Sequence, residues 1–279
     1  MTATLHDRSL TLTEDDLTRY DTDGYWISPK LIDDDQIAEL RRAHDRIWAG
    51  DFDGSNFPEY PAQVSDAYDP HAVRKLSNGW WLNDAVRDVV TSEAVGSIAR
   101  QLMRTEHARL WHDQVIYKPP TRAGGQAGNI GWHQDCGYWQ AADTTNMITA
   151  WIALQDTDLN NGGMRSIAGS HRWDLIEGSD TFFDQNLESL HDKYAHLGAW
   201  RDEPCVLPAG CASFHHGLCF HGSGPNQTDQ PRLSIVAHLM PDGTAYTGRP
   251  HNHGNVHLLG PRPRAGQKFE GDYFPVVGR

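Results

Sequence analysis

From about residue 106 onward the apolar residues stop recurring every three to four positions and begin to alternate. The stretches 108-ARLWHDQVIYK-118, 147-MITAWIAL-154, 211-CASFHHGLCFH-221 and 232-RLSIVAHLM-240 read as strands, parted by loops such as NNGGM and GSGPNQTDQP. Successive strand residues point to opposite faces, so each stretch has an apolar side and a mixed side. Leu233, Ile235, Ala237 and Leu239 oppose Arg232, Ser234, Val236 and His238. Ile148, Ala150, Ile152 and Leu154 oppose Met147, Thr149, Trp151 and Ala153. In 211–221, Ala212, Phe214, Leu218 and Phe220, with His216, oppose Ser213, His215, Cys219 and His221. Two arrangements satisfy this pattern. Either the mixed side faces water, or helices cover the apolar side and the mixed side lines an interior.

Helices precede the strands. Thr13 and Asp16 form a capping-box pattern that opens a short helix to about Tyr20. GYWIS at 24–28 is a short strand. Asp33 or Asp34 caps a second helix carrying Ile37, Leu40 and Ile47, and further helices are expected over Asn83–Val90 and Ser92–Arg104. Helices first and strands after predict an α+β, mainly β chain whose catalytic part is a β-sandwich or barrel. We expect one domain over 1–279: a helical part at about 12–105, a β core at about 106–241 and a loop-rich tail at 242–279. The run 250-PHNHGNVH-257 falls in that tail among Gly and Pro and reads as loop rather than as a metal tract.

Lys and Arg number 24 against 37 Asp and Glu, a net charge of −13. An acidic chain with no basic run does not suit nucleic acid or an anionic membrane. No apolar stretch approaches the ~18 residues of a spanning helix. MTATLHDRSLTLTEDD has neither the basic nor the apolar region of a signal peptide, so a cytoplasmic protein is expected. Cys136, Cys205, Cys211 and Cys219 form no Cys-x-x-Cys pair and read as free, mostly buried thiols. Expected partners are a small-molecule substrate and, at most, a second copy of the chain: a monomer or a homodimer.

The chemistry is suggested by 131-GWHQDCGYW-139. His133-x-Asp135 is the only His-x-acid in the chain, and no His-Glu-x-x-His occurs. On an extended edge, residues two apart point the same way, so this pair can bind one ion from one side. A histidine from another strand would complete two imidazoles and a carboxylate, leaving open positions suited to non-haem Fe(II). His221 is the candidate, because it ends a strand on the mixed side before the turn Gly222-Ser223-Gly224-Pro225. His216 has the apolar parity. His215 has the right parity but lies six residues earlier, about 20 Å at strand rise. Arg232 follows His221 by eleven residues, also on a mixed side. A guanidinium aimed inward requires an anion. A dicarboxylate would answer it through a bidentate fork, with Ser223 adding a hydroxyl. Asp229 is the alternative partner.

GWHQDCGYW, TAWIALQDTDLNNGGMRSIAGSHRW and FHGSGPNQTDQPRLSIVAHLMP resemble the phytanoyl-CoA dioxygenase-like family of Fe(II)/2-oxoglutarate oxygenases. The opening YDTDGYWISPKLIDDDQIAELRRAHDRI resembles it too, so the likeness runs from about Leu12 to Pro241. The resemblance implies a double-stranded β-helix, or jelly roll, with the N-terminal helices on its outer face. It implies His133, Asp135 and His221 on iron, Arg232 and Ser223 on the far carboxylate of 2-oxoglutarate, Trp151 beside that co-substrate and Lys118 near it. It further implies O2 as co-substrate, succinate and CO2 as products, and hydroxylation of an unactivated C–H bond in a small molecule of specialised metabolism. Epimerisation, cyclisation and desaturation draw on the same chemistry. Asp135 argues against halogenation, where a small residue replaces the carboxylate. A non-catalytic barrel holding a ligand or zinc is the competing class, but there the Arg232 and Ser223 anchor has no purpose. Because histidine binds metal only when neutral, metal affinity is expected to fall as pH drops through ~6.5. Segments 50–80, 121–130 and 173–204 are long enough to rim a pocket, and their Trp and Tyr suit an apolar or ring-bearing molecule better than a polyanion.

Overall fold

The computed structural model describes residues 8–53, 72–121, 128–249 and 253–278. Its first helix, α1 (Glu14–Asp23), starts on the expected capping box: the Thr13 hydroxyl accepts from the Asp16 N–H, and the Asp16 carboxylate accepts from the Thr13 N–H. Gly24, in the left-handed region at φ 78°, ends it and hands the chain to β1 (Tyr25–Ile27). Asp33 and Gln36 open α2 (Asp34–Trp48) in the same reciprocal way. β2 (Arg74–Ser77), α3 (Asp84–Val90) and α4 (Glu93–Leu102) follow. The remaining strands are β3 (Ala108–Lys118), β4 (Ile130–His133), β5 (Ile148–Ala153), β6 (Met164–Ile167), β7 (Asp202–Pro204), β8 (Ala212–His216), β9 (His221–Ser223), β10 (Arg232–Pro241) and β11 (Val276–Val277), with α5 (Leu187–Tyr194) before β7. No helix among the described residues is long and apolar enough to cross a membrane.

The strands form two antiparallel sheets. The larger runs β1-β8-β5-β10-β3-β11, with β2 also on β3; the smaller runs β4-β9-β6-β7. Of the two arrangements open to the alternating strands, the chain adopts the interior one. Leu233, Ile235, Ala237 and Leu239 of β10, with Ile148 and Ile152 of β5 and Phe214 of β8, pack under Leu40 and Ile47 of α2, Val86 of α3 and Ile98 of α4. Burying each such aliphatic side chain stabilises the layer by roughly 1.5–3 kcal/mol. The mixed faces turn the other way, toward a cavity whose opposite wall comes from β4, β6 and β9.

Two expectations need correction. The stretch 211–221 is not one strand: it stops at His216, and Gly217–Phe220 carries the chain from the large sheet to the small one. The alternation of apolar residues runs through that turn, which hid it. Gly217 is needed there because a Cβ would lie 2.6 Å from Cys136 Sγ. The tail is also more than loop. His253 caps a 3-10 helix over Gly254–Leu259, while Pro250, His251 and Asn252 lie outside the described residues. Beyond it, Phe269 and Phe274 are fully buried against Trp111, and β11 pairs with Arg109 and Ala108 of β3.

The tail reaches α4 at Gly96, where a Cβ would stand 2.2 Å from the Val277 carbonyl oxygen. Ala is better than Gly in a free helix by about 1 kcal/mol, but overpacking costs about 1–3 kcal/mol. Gly96→Ala should therefore lower Tm in calorimetry. An unchanged or higher Tm would show that β11 does not dock on α4 in solution.

Candidate active site

His133 ends β4 and His221 begins β9, and the two are register partners across the small sheet. Their ring centroids are 4.1 Å apart. Asp135 opens a short 3-10 turn directly after β4, so the chain turns the carboxylate back under both rings. Asp135 Oδ1 lies 3.7 Å from His133 Nε2 and 3.8 Å from His221 Nε2. One candidate ligand atom from each residue falls within 4.8 Å of the others, and all three residues are buried.

The tautomers follow from the neighbours. His133 Nδ1 is 2.7 Å from the Gly131 carbonyl oxygen and His221 Nδ1 is 3.0 Å from that of Cys219. A carbonyl can only accept, so the proton sits on Nδ1 and each Nε2 presents a lone pair. Burial lowers His133 to about 4 and, with the His133 ring beside it, holds His221 well below the usual imidazole range. Burial alone would raise Asp135, but the imidazoles of His221, His215 and His238 hold its carboxyl well below the usual range. Two neutral imidazoles and one carboxylate, facing inward at this spacing, are the donor set of a divalent metal.

The other carboxylate oxygen is tethered from the large sheet. Thr149 Oγ1 donates to Asp135 Oδ2 at 2.6 Å. Having given its proton away, the hydroxyl accepts from His238 Nδ1 at 2.8 Å. His215 Nε2 lies 3.4 Å from Oδ2, in contact but outside hydrogen-bond geometry. Oδ1 is thus left to the centre, and His215, the rival third ligand, packs behind it instead. Its ring centroid is 4.3 Å from that of His221.

Arg232 begins β10 with its side chain on the cavity side, 2% exposed. Its Nη1 donates to Ser234 Oγ at 3.0 Å, and the guanidinium carbon lies 4.8 Å from the centroid of the Trp151 ring. Nε has no partner, and no carboxylate pairs with the guanidinium among the described residues. Asp229, the alternative, is exposed. Burial alone pushes Arg232 down to about 9. Lys118 sits opposite Arg232 in the register of β3 and β10, fully buried, but does not line the cavity. Its ammonium donates to Ser223 Oγ at 2.6 Å, to the Gly224 carbonyl at 2.5 Å and to the Gly162 carbonyl at 3.2 Å. Because Ser223 accepts from Lys118, its own O–H remains free to donate into the cavity.

The cavity encloses about 200 Å³ and joins the triad, Arg232, Ser223 and Trp151 in one space. Sequence reasoning missed much of its far wall. His112 and Gln114 share the inward parity of β3, a signal that the alternation in 108–118 already contained. Lys75, on the four-residue β2, gave no signal: such a strand exists only through its pairing with β3. Phe182, from the expected rim segment 173–204, stands 5.1 Å from the His133 ring. The other rim segments fall partly outside the described residues, at 54–71 and 122–127.

Comparison with known proteins gives the same direction. Residues 20–234 match the phytanoyl-CoA dioxygenase (PhyH) family. The chain is 28% identical over 241 residues to an ectoine dioxygenase of Streptomyces avermitilis, covering 80% of this chain and 77% of that one. It is 26% identical over 187 residues to a probable alpha-ketoglutarate-dependent hypophosphite dioxygenase of Stutzerimonas stutzeri, where the match spans 63% of this chain and 60% of the relative. Among solved structures, the alpha ketoglutarate-dependent epimerase SnoN of nogalamycin biosynthesis is similar with a TM-score of 0.72 and 25% identity, over 95% and 98% of the two chains. The carbocyclase SnoK of the same biosynthesis shares the fold at a TM-score of 0.74 with 22% identity, over 99% and 98%.

Two outcomes test this geometry. Thr149→Val removes the tether of Asp135 Oδ2 at nearly constant volume, and losing such an outer contact typically costs ~10–100-fold in metal affinity. The dissociation constant for Fe(II) or Co(II) should rise by at least ~10-fold, with Thr149→Ser near wild type; equal affinities in all three would refute the tether. The second outcome concerns acid. His44, His112, His133 and His216 are each lowered to about 4 by burial, against ~6.5 in an unfolded chain. Between those values the unfolded state binds more protons, so stability falls as pH drops from about 6.5 to about 4. Asp113, raised to about 7 by burial, opposes with a single proton. Each net proton is worth roughly 1.4 kcal/mol per pH unit. The Tm of metal-free protein should therefore decline steeply below about pH 6.5, and a flat profile would contradict the neutral interior. Proton competition for the triad shifts likewise, toward pH 4 rather than the ~6.5 expected from unperturbed histidine.

Proposed function

The chain belongs to the phytanoyl-CoA dioxygenase family and is an Fe(II)/2-oxoglutarate-dependent dioxygenase; from that premise we propose that it oxidises an unactivated C–H bond of a small organic molecule, with hydroxylation as the outcome, in specialised metabolism. The observation that carries the reading is Arg232: a buried guanidinium with no carboxylate partner, in the same cavity as two inward imidazoles and a carboxylate. A burial of that kind is costly unless an anion completes it. A zinc ion alone would not complete it.

In this proposal His133, Asp135 and His221 hold iron. Arg232 forks onto the far carboxylate of 2-oxoglutarate, the Ser223 O–H donates to the same carboxylate, and Trp151 supplies the face on which the guanidinium rests. Lys118 acts through Ser223 as a positioning residue, since three acceptors already engage its ammonium. The two sheets would be the halves of a double-stranded β-helix with the triad between them. When bound, iron and 2-oxoglutarate supply the oxidant from O2, with succinate and CO2 as products. The chain's own contribution is orientation and exclusion of water: Trp139, Tyr138 and Phe182 wall the cavity around the triad. Epimerisation is the second reading, supported by the 25% identity to an epimerase over 95% of the chain. It requires no different residue in the triad, only a different placement of the substrate carbon.

Arg232→Ala should leave Fe(II) binding nearly intact and weaken 2-oxoglutarate. A hydrogen bond to a charged group contributes roughly 1.5–3 kcal/mol, and each 1.4 kcal/mol is tenfold, so a loss of at least ~10-fold is expected. Arg232→Lys keeps the charge but not the fork and should recover only part. Anaerobic titration of Fe(II) protein with 2-oxoglutarate, followed through the metal-to-ligand charge-transfer band, reads this directly. An unchanged dissociation constant would sink the proposal.

A further inference from the structure

The end of the cavity away from Arg232 carries polar atoms that neither the triad nor the co-substrate anchor uses. Along β10, Arg232 and His238 share the inner face six residues apart, about 20 Å at strand rise. Across β3 from β10, β2 brings Lys75 opposite Ile116, level with Ser234, and Ser77 opposite Gln114, level with Val236, so these four and His112, level with His238, form one wall that runs between the two ends. The Lys75 ammonium rests 3.9 Å from the Phe182 ring centroid and 5.4 Å from that of Phe183. It has no hydrogen-bond acceptor or carboxylate partner among the described residues. Its charge is nevertheless felt across the space, where it helps to depress His112, His133 and His238.

Two acceptors complete the wall. His112 Nδ1 is 3.3 Å from the Asp113 carbonyl, which can only accept, so its Nε2 is a bare lone pair, buried and without a partner. His238 donates from Nδ1 to Thr149, so its Nε2 is bare as well, and it too is buried and unpartnered. The two rings are 4.5 Å apart and both line the cavity. A buried acceptor without a partner is destabilising, and a ligand's donor would satisfy it.

The charges point the same way. Arg232 and Lys75 bring two positive charges to a described lining that contains one carboxylate, Asp135. A divalent iron and the dianion of 2-oxoglutarate cancel, so the loaded site keeps one positive charge, in a chain whose net charge is −13.

We propose that the substrate is a ring-bearing organic monoanion that also carries a hydroxyl or N–H group, with Lys75 holding its acidic oxygen and Nε2 of His112 accepting from its donor; this rests on the iron and 2-oxoglutarate reading of the other end. The aromatic walls Phe182, Tyr138 and Trp139 supply the faces against which a ring packs.

The test uses anaerobic Fe(II)/2-oxoglutarate protein, titrated with para-hydroxylated benzoic, cinnamic and naphthoic acids, their methyl esters and the amines of the same skeletons. Perturbation of the charge-transfer band reports binding beside the metal, and para-hydroxyl acids cannot chelate it. The acids should bind at least ~10-fold more tightly than the esters and amines. Lys75→Met should abolish that preference while the band itself forms normally, and Lys75→Arg should retain much of it. Methylating the phenol should weaken binding to wild type but not to His112→Leu. Equal binding of acids and esters, no binding by any acid, or unchanged acid affinity in Lys75→Met would each overturn the proposal. A wild-type protein that forms no charge-transfer band would instead overturn the reading on which it rests, so the two failures are distinguishable.

Discussion

A guanidinium removed from water without a counter-charge is the constraint around which this interior is arranged. Idealised transfer of such an ion to a dry medium costs on the order of 20 kcal/mol, and several kcal/mol remain after relaxation. Arg232 is relieved only in part, by the face of Trp151 and the hydroxyl of Ser234. Directly across the β3–β10 register stands a second base, Lys118, whose pKa burial and Arg232 together drive well below the usual lysine range. Two bases side by side on central strands make no sense as packing. On the proposed reading they form a prepared anion site, in which Arg232 would contact the anion while Lys118 fixes the Ser223 hydroxyl beside it.

The histidines obey a different rule with the same result. His133, His221 and His112 each have a backbone carbonyl at Nδ1, and His238 has a hydroxyl whose proton is already committed to Asp135. Each neighbour is an acceptor, so each ring keeps its proton on the outer nitrogen and turns a lone pair inward. Burial then keeps them neutral. The lone pairs of His133 and His221 converge on Asp135 Oδ1, where a metal can unite them. Those of His112 and His238 do not converge on any acid and are left for a molecule that brings donors. An acceptor at each Nδ1, a backbone carbonyl at three rings and the Thr149 hydroxyl at His238, thus builds both a metal face and a recognition face.

What could be read in advance was what local pattern encodes. The period-2 alternation of 232–240 put Arg232 on the mixed face, which the fold then turned to the cavity, and His-x-Asp placed two candidate ligands together because residues two apart on extended chain share a direction. The capping box at Thr13 marked a helix start for the same reason, since donor and acceptor lie three residues apart, while for the second helix the sequence left Asp33 and Asp34 as alternatives and the structure uses Asp33. What stayed hidden depends on partners distant in sequence. Gly217 breaks the 211–221 run because Cys136, from another segment, occupies the space of a Cβ. The Thr149 tether spans 14 residues and the His238 contact 89. Lys75 belongs to the wall only because β2 finds β3.

This division of the cavity bears on how one scaffold serves several reactions. The similar proteins include dioxygenases, an epimerase and a carbocyclase, on one fold. A triad of two imidazoles and a carboxylate does not by itself specify one of those outcomes. On the proposed reading the Arg232 end is no better placed, since it would hold only a dicarboxylate. The outcome must then be set by which C–H bond faces the metal and how freely the carbon can turn afterwards. On the proposal above those fall to the remaining wall, from β2, the inner face of β3 and the Phe182 segment, which lines the cavity. In that proposal β2, paired with β3 at four register positions, would set the depth at which Lys75 stops a substrate's acidic oxygen. With the charge fixed, the ring swings only about that point, and the aromatic side chains limit the arc. Substrate choice and reaction outcome are therefore one geometric problem, solved on residues that the metal never touches.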